Sequence, residues 1–465
     1  VLTYELKKSG FSLFETLYMC IRDDINSGRL KAGEKLPSKR ALAEHLQISK
    51  TTVENAYYQL VTEGYLKAEP KRGFFVERIE PTAVPGGIKA APIKIKEEAE
   101  NTDIDLTGSR IGTEQFPFSV WARLMRRVLT ENRSEVLAPI PYKGTVVLRE
   151  AIAAYLYRFR GIAVDPEQII IGAGTEYLYG LLIRLLGEEK CCGVENPGYP
   201  KIRQIYTVNG ATCADVPLDE YGARPDALEK EGVNVLHITA SHHFPTGIVM
   251  PLRRRQEILD WASGSPGRYI IEDDYDCEFR FAGKPVPALQ SIDSGGKVIY
   301  INTFTKSLTP SIRIGYMILP PELIKRYSEK LGFYSCAVCS FEQFALASFL
   351  NEGYFERHIA RMKKHYRTLR DGLIETLKLM PGSENAEITG KDSGLHFIMK
   401  FKEPSSREKI EEVLRFAGIR AAFLSDYLRT AASPEEDRSI VVNYSGINTS
   451  DINKIRDRLT GLRFN

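Results

Sequence analysis

Sulfur, imidazole and indole are scarce in this chain: 465 residues contain 7 cysteines, 7 histidines and 2 tryptophans. Cysteines that sparse do not build a disulfide-stapled fold, and they point to reduced thiols and a cytoplasmic setting. The single CxxC, Cys336 with Cys339, has no second pair at zinc spacing and no redox context, so it reads as two ordinary thiols. His242 and His243 are adjacent but have no evident carboxylate partners, so they read as structural and no metal is expected. No apolar run reaches membrane-spanning length, and the first residues form neither a signal core nor a transit segment, so no membrane partner is expected. Strong charge of one sign is also missing, with 63 Lys and Arg against 60 Asp and Glu. That small excess is localised. Residues 1–78 hold 13 basic and 10 acidic side chains, and the remainder holds 50 of each. What is present, 43% hydrophobic and 26% charged residues, is ordinary for a globular protein too long for one core.

The spacing of Phe14, Leu17, Tyr18, Ile21 and Ile25 predicts a first helix over Leu13 to Ser27, stopped by Gly28. Ser38 suits the N-cap of a short helix through Leu46, and Gln47-Ile-Ser49 makes a turn. A second helix over Lys50 to Glu63 buries Val53, Ala56, Tyr57, Leu60 and Val61, leaving Lys50, Thr51, Thr52 and Asn55 exposed near its start. Short polar and cationic side chains there suit entry into a DNA major groove. Residues 64–76 read as two strands around a tip carrying Lys71 and Arg72. A small protein-docking domain is the plainer alternative for two helices and a turn. The basic-tipped hairpin favours duplex DNA, with Ser38 and Arg40 added to the contact set.

From Arg78 to about Asp103 the chain is rich in Pro, Gly, Ala and mixed charge, which predicts an interdomain tether over 79–104. Beyond it, over 105–465, apolar strand-like runs alternate with helical patterns, pointing to an α/β sheet with crossover helices. Strands are predicted at Gln168–Gly172, Val233–Thr239, Arg268–Glu272 and Val298–Ile301, and helices at Val147–Arg160, Thr175–Leu186 and Glu342–Glu352.

Several strand ends carry chemistry. Lys306 follows the apolar run Lys297–Asn302, with Arg313 seven residues later. An amine that can form a Schiff base and a planar guanidinium that can clamp a phosphate are what a carbonyl-bearing phosphate cofactor needs. A solvated surface pair is the alternative. Gly172-Ala-Gly-Thr-Glu176 is either a tight turn or a phosphate cradle at a helix start. Glu272-Asp-Asp-Tyr-Asp276 is either a solvated acidic turn or a carboxylate and phenol for a pyridine ring, and Asn196-Pro-Gly-Tyr199 offers an aromatic face.

Leu36–Leu46, Ser49–Val53, Leu60–Gly64 and Arg72–Val76 resemble the GntR-type winged helix-turn-helix. Gly174-Thr175, Tyr199, Asp273 with Tyr275, Lys306 and Arg313 stand in the order found in fold-type I aminotransferases, which carry pyridoxal 5′-phosphate (PLP). Together with Ser241-His-His-Phe-Pro-Thr-Gly247 and Ile271–Asp276, the combination resembles the MocR subgroup of GntR regulators. The resemblance implies a multidomain protein. An α+β winged helix-turn-helix would precede an α/β PLP-dependent transferase-like domain with a small carboxyl-terminal α+β subdomain. It also implies that Lys306 holds PLP as a Schiff base, Asp273 pairs with the ring nitrogen, Tyr275 donates to the phenolic oxygen and Tyr199 stacks on the ring. Arg313, Thr303, Thr305 and the backbone at Gly174, Thr175 and Glu176 would hold the phosphate. A homodimer, with each DNA-binding domain docked on the other subunit, is implied as well.

Two departures bear on turnover. Phe244 stands where aminotransferases have an asparagine that polarises the cofactor oxygen, and Val441 stands where they carry an arginine for the substrate carboxylate. Where a GABA-responsive member of the subgroup uses arginines, this chain has Lys201 and Asp426. Arg203, Arg429 and Arg438 are the substitutes for holding an effector. The expected function is a DNA-binding regulator that senses a small amino compound, or PLP itself, through imine chemistry at Lys306. A competent aminotransferase with an appended DNA-binding domain is the second reading, and a repressor whose large domain only dimerises is the third.

Overall fold

A computed structural model of the chain describes residues 2–4, 6, 12–78, 104–108, 112, 115–283 and 286–462. They fall into two compact units, residues 1–99 and 100–465. The tether expected over 79–104 lies outside the described residues except for Ile104, which pairs in parallel with Ile419.

In the first unit each helix starts where a serine can satisfy free backbone N–H groups. Ser12 forms a capping box with Glu15 ahead of helix Leu13–Asn26. Ser38 accepts from the Ala41 N–H ahead of Lys39–Leu46, and Ser49 accepts from Thr52 ahead of Lys50–Thr62. Gln47 makes the turn between the last two helices with φ 54°. Leu17, Ile21, Leu42, Val53, Ala56, Tyr57 and Leu60 close one core, with Val61 only partly buried against it. Strands Leu66–Glu69 and Gly73–Val76 pair antiparallel, Leu66 opposite Val76, which places Lys71 and Arg72 at the tip. The predicted ends at Ser27 and Glu63 fall one residue inside, since both are C-cap residues.

The second unit is built on an eight-stranded sheet. Its spatial order is Ile169–Gly172, Gly315–Ile318, Val298–Thr303, Tyr269–Asp273, Val235–Ile238, Cys191–Asn196, Thr212–Asp219 and Gly222–Ala223. The five strands from Val298–Thr303 to Thr212–Asp219 run parallel, while Gly315–Ile318 is antiparallel to both neighbours. Near-continuous Val, Ile and Leu in the central strands fits a sheet covered by helices on both faces. The order reverses direction in sequence, so the carboxyl ends of separate strands open onto one crevice, where such sheets bind ligands. Cys191 and Cys192 begin the strand Cys191–Asn196. A smaller antiparallel sheet of Glu387–Thr389, His396–Lys400, Ser439–Asn443 and Ala422–Phe423 forms the carboxyl-terminal α+β part. It packs with helices Arg407–Phe416 and Thr449–Leu462, and no helix among the described residues is long and apolar enough to cross a membrane.

Candidate functional site

Strand ends converge on a cavity of about 720 Å³ whose walls include Thr175, Glu176, Tyr199, Asp273, Tyr275, Thr303, Thr305, Lys306 and Arg313. These residues span 139 positions of sequence, from 175 to 313, and the sheet brings them together. Lys306 lies in the turn after Val298–Thr303, and burial holds its amine below the usual lysine range, against the opposing pull of the Asp276 carboxylate.

Asp273 ends its strand buried, 5% exposed. Its Oδ2 accepts from the Tyr179 hydroxyl and lies 3.5 Å from His237 Nε2, while its Oδ1 is buried with no partner among the described residues. The Tyr275 hydroxyl is also buried without a hydrogen-bond partner among the described residues, and burial raises it well above the ordinary tyrosine range. Two unsatisfied polar atoms in one cavity wall are costly unless something polar occupies the cavity. Tyr199, at the N-cap of helix Pro200–Val208, is 43% exposed and meets Phe244 edge-on at 6.0 Å.

At the other end, Gly174 starts helix Thr175–Leu186 with φ 90°, and a Cβ there would lie 2.9 Å from Arg313 Nη2. The backbone conformation calls for glycine, and a Cβ would also displace the Arg313 guanidinium from its place. Arg313 donates to the Ala173 carbonyl at 3.0 Å, and Glu176 lies 3.7 Å from it. The Thr303 hydroxyl donates to the Ile314 carbonyl and accepts from the Thr305 N–H, and it lies 2.8 Å from the Thr305 hydroxyl, which fixes both threonine side chains. A guanidinium, two hydroxyls and a helix N-terminus make an anion cradle.

Three of the four basic effector candidates line the same cavity. Lys201 donates to Glu176 at 3.1 Å. Arg203 pairs with Asp215 Oδ1, and Arg429 Nε lies 3.3 Å from Asp215 Oδ2, so one carboxylate serves two guanidinium groups. Arg438 is not in the cavity wall and pairs with Glu403 at 3.2 Å. Val441 is buried with Ile398 and Leu424, against Phe244 and Tyr427, so this position presents no cation.

The two histidines read from sequence as lacking carboxylate partners each have one. His242 Nδ1 lies 3.1 Å from Asp276, and His243 Nε2 lies 3.4 Å from Glu195. His242, Asp276 and His396 present donor atoms within 4.8 Å of one another, but the His396 ring is held by the Pro245 carbonyl at 3.1 Å. Burial pushes Glu195 up to about 8 against hydrogen bonds from Thr239, and burial takes His243 down to about 3. Tyr179, His237, Glu195 and His396 were not singled out from sequence, and Asp276 stood only as the last residue of the acidic motif Glu272–Asp276. Of these, His237 carried a signal, as the one polar residue in the buried strand Val235–Ile238.

In the first unit Thr51 and Asn55 are exposed on the second predicted helix, while Thr52 is half-buried with its hydroxyl 2.7 Å from that of Ser49. Ser38 is committed to its cap. Arg40 pairs with Glu44, Lys50 approaches Glu54 at 3.6 Å and Arg72 pairs with Glu69, all at exposed positions, and Lys71 is exposed at φ 61°.

Residues 13–76 match the family described as bacterial regulatory proteins of the gntR family, and residues 109–455 match aminotransferase class I and II. The HTH-type transcriptional regulator YdeL of Bacillus subtilis is 36% identical over 95% of this chain and 94% of its own length. The probable rhizopine catabolism regulatory protein MocR of Rhizobium meliloti is 31% identical over 96% of this chain and 92% of its own. Among solved structures, an archaeal alanine:glyoxylate aminotransferase is 25% identical with a TM-score of 0.67, covering 77% of this chain and 90% of that one. With a DNA-binding winged helix at one end and an aminotransferase-type sheet and cavity over the rest, the chain belongs to the MocR subgroup of GntR-type transcriptional regulators.

Proposed function

We propose that this regulator binds PLP in the large-unit cavity through Lys306 and uses occupancy of that cavity by an amino compound to alter DNA binding. The observation that carries the reading is the pair of buried, unpartnered atoms, Asp273 Oδ1 and Tyr275 Oη, in the wall that also contains Lys306. PLP supplies a carbonyl that condenses with amines, and a pyridine ring that a carboxylate can keep protonated. Asp273 suits the ring nitrogen and Tyr275 the phenolic oxygen. The cradle of Gly174, Thr175, Glu176 backbone, Thr303, Thr305 and Arg313 suits the phosphate, and Tyr199 suits the ring face. The lowered Lys306 amine is held closer to its neutral, nucleophilic form.

Arg203 and Arg429 share the single Asp215 carboxylate, and Asp426 in the same wall is already paired with Arg407, so the two guanidinium groups at this end of the cavity keep capacity for an anion. An amine carrying a distal carboxylate or other anionic group fits that end. Val441 and Phe244 leave the usual substrate clamp without its cation and the ring oxygen without its amide, which favours sensing over repeated transamination. Free PLP as the sensed molecule is the second reading, favoured by the anion cradle alone.

Visible absorbance should develop when PLP is added to the purified chain and be absent in Lys306→Ala. Titration with a panel of amino acids, D-isomers, dipeptides and free PLP should then shift that absorbance for the true effector class. Arg203→Gln should weaken the response to anionic amines more than to neutral ones. Full effector-dependent DNA binding by Lys306→Ala would sink the mechanism, and multiple turnovers with an amino donor and a keto acid would restore the enzyme reading.

A further inference from the structure

Two cavities of the large unit share Asp276. The front cavity carries it in one wall with Lys306, Tyr275 and His396. A rear cavity of about 20 Å³ has Arg160, Ser241, His242, Asp276, Arg280 and Ser393 in its wall. His242 Nδ1 lies 3.1 Å from Asp276 Oδ2, with the two side chains 2% and 3% exposed. The other ring nitrogen, Nε2, is buried with no hydrogen-bond partner among the described residues. An orphaned nitrogen is costly unless water reaches it, and a polar-walled space of this volume holds one water. Arg280 is only half-buried, so the rear cavity approaches the surface. The pair also depends on a missing side chain. Gly394, at φ 68°, passes so close that a Cβ would overlap both His242 Nδ1 and Asp276 Oδ2.

An imine at Lys306 is exchanged only if the lysine nitrogen can gain and lose a proton. A cofactor and an incoming amine displace water from the front cavity, so protein groups must then carry that proton. Most groups in the front wall are held in one state. Burial keeps Tyr275 protonated, keeps Glu195 protonated up to about 8, and keeps His396 neutral with its Nε2 3.1 Å from the Pro245 carbonyl. Asp273 is engaged by Tyr179 and His237. Asp276 remains, and its charge acts on the Lys306 amine. We propose that Asp276 and His242 form a proton path between Lys306 and a water held in the rear cavity. This path depends on Lys306 being the PLP-binding amine. A proton passed from the rear water to His242 Nε2 drives the Nδ1 proton onto Asp276 and from there onto a neutral Lys306 amine. The return trip reverses each step. One N–H or O–H bond forms for each that breaks, nothing is oxidised or reduced, and the imidazole ends each trip in its other neutral tautomer. His242 acts through Asp276, so it is a positioning residue. A metal ion on His242, Asp276 and His396, whose donor atoms lie within 4.8 Å of one another, is disfavoured by the surrounding cations Arg160, Arg280 and Lys306.

The test loads the full chain with PLP and adds O-benzylhydroxylamine, a bulky aminooxy probe that displaces the lysine, while visible absorbance is followed. His242→Asn keeps a donor for Asp276 but cannot pass a proton through. It should take up PLP to the wild-type extent and release Lys306 about 100-fold more slowly, the low end of what positioned proton transfer contributes. Raising the concentration of a small buffer should restore the rate in the variant and leave the unmodified chain unchanged, a dependence that a purely structural role would not produce. Equal rates and equal buffer dependence in the two proteins overturn the path and leave PLP binding standing. No visible absorbance in the unmodified chain defeats the PLP reading itself, and the path with it. A crystal structure of the unmodified, cofactor-free chain tests the water site without any variant. An ordered water within about 3 Å of His242 Nε2 is expected. A dry rear cavity, or a zinc ion on His242 and Asp276, overturns the path.

Discussion

Lys306 and Glu195 show what burial does to single groups when it acts on opposite charges. Desolvation lowers the amine and raises the carboxyl, because in each case it penalises the charged form. The Asp276 carboxylate works against the lowering of Lys306, so Asp276→Asn should drop the amine further. In cofactor-free protein, Lys306 should then label with an acylating reagent at lower pH than in the unmodified chain, read by mass spectrometry. An unchanged labelling profile would remove Asp276 from the account. For Glu195 the folded value of about 8 lies above the unfolded one. Between those values the folded chain holds a proton the unfolded chain lacks, so stability is fully present at low pH and falls as pH rises toward 8. One such proton sets a limiting slope of about 1.4 kcal/mol per pH unit. Glu195→Gln should flatten the decline in thermal midpoint between pH 5 and about 8, and a decline as steep as wild type would show that Glu195 titrates normally. His243, taken down to about 3, has the opposite sign and acts only in the acid range.

Elements in this chain begin where a particular side chain or a missing one permits it. Ser49 accepts from Thr52 N–H at 3.1 Å and so starts the helix that presents Thr51 and Asn55. Ser49→Ala should cost about 1 kcal/mol of stability in the first unit. Faster amide exchange over residues 50–54, with the large unit unchanged, is the measurable sign. At the start of Thr175–Leu186 the determinant is an absence. Gly174→Ala meets both a positive φ and Arg313, so about 1–3 kcal/mol of strain is expected there, with weaker retention of PLP through gel filtration. Unaltered retention would mean that the loop relaxes. Caps and turns of this kind were legible from the linear order of residues. So were four of the buried strands, Ile169–Gly172, Val235–Ile238, Tyr269–Asp273 and Val298–Thr303, whose Ile and Val runs have no other good home, whereas Cys191–Asn196, with only one β-branched residue, gave no such signal. Strand Gly315–Ile318 was not, because its antiparallel partners Ile169–Gly172 and Val298–Thr303 are set by long-range pairing and leave no local signature.

At the scale of the molecule, the large unit is held by a buried ion pair between distant segments. Arg160 ends one helix, Asp274 follows a central strand, and their side chains meet at 2.7 Å with 3% and 0% exposure. Removing one partner leaves an uncompensated charge, so Arg160→Leu should cost about 3–5 kcal/mol. Urea unfolding of the large unit should show this as a lower midpoint, and a loss under 1 kcal/mol would mean that water reaches the carboxylate. Charge shows the same division between order and space. The sequence by itself determined the two-part organisation, the winged helix and the catalogue of cofactor-type residues, because caps, periodicity and motif spacing are local properties. Which cations remain available was decided only by the tertiary structure. Folding paired Lys201 with Glu176 and Arg438 with Glu403, and it put Asp215 between Arg203 and Arg429. Among the described residues it left Arg126, Arg361 and Lys364 exposed without an ionic partner. Coulomb attraction acts across a few ångströms of space, and sequence separation does not encode that distance.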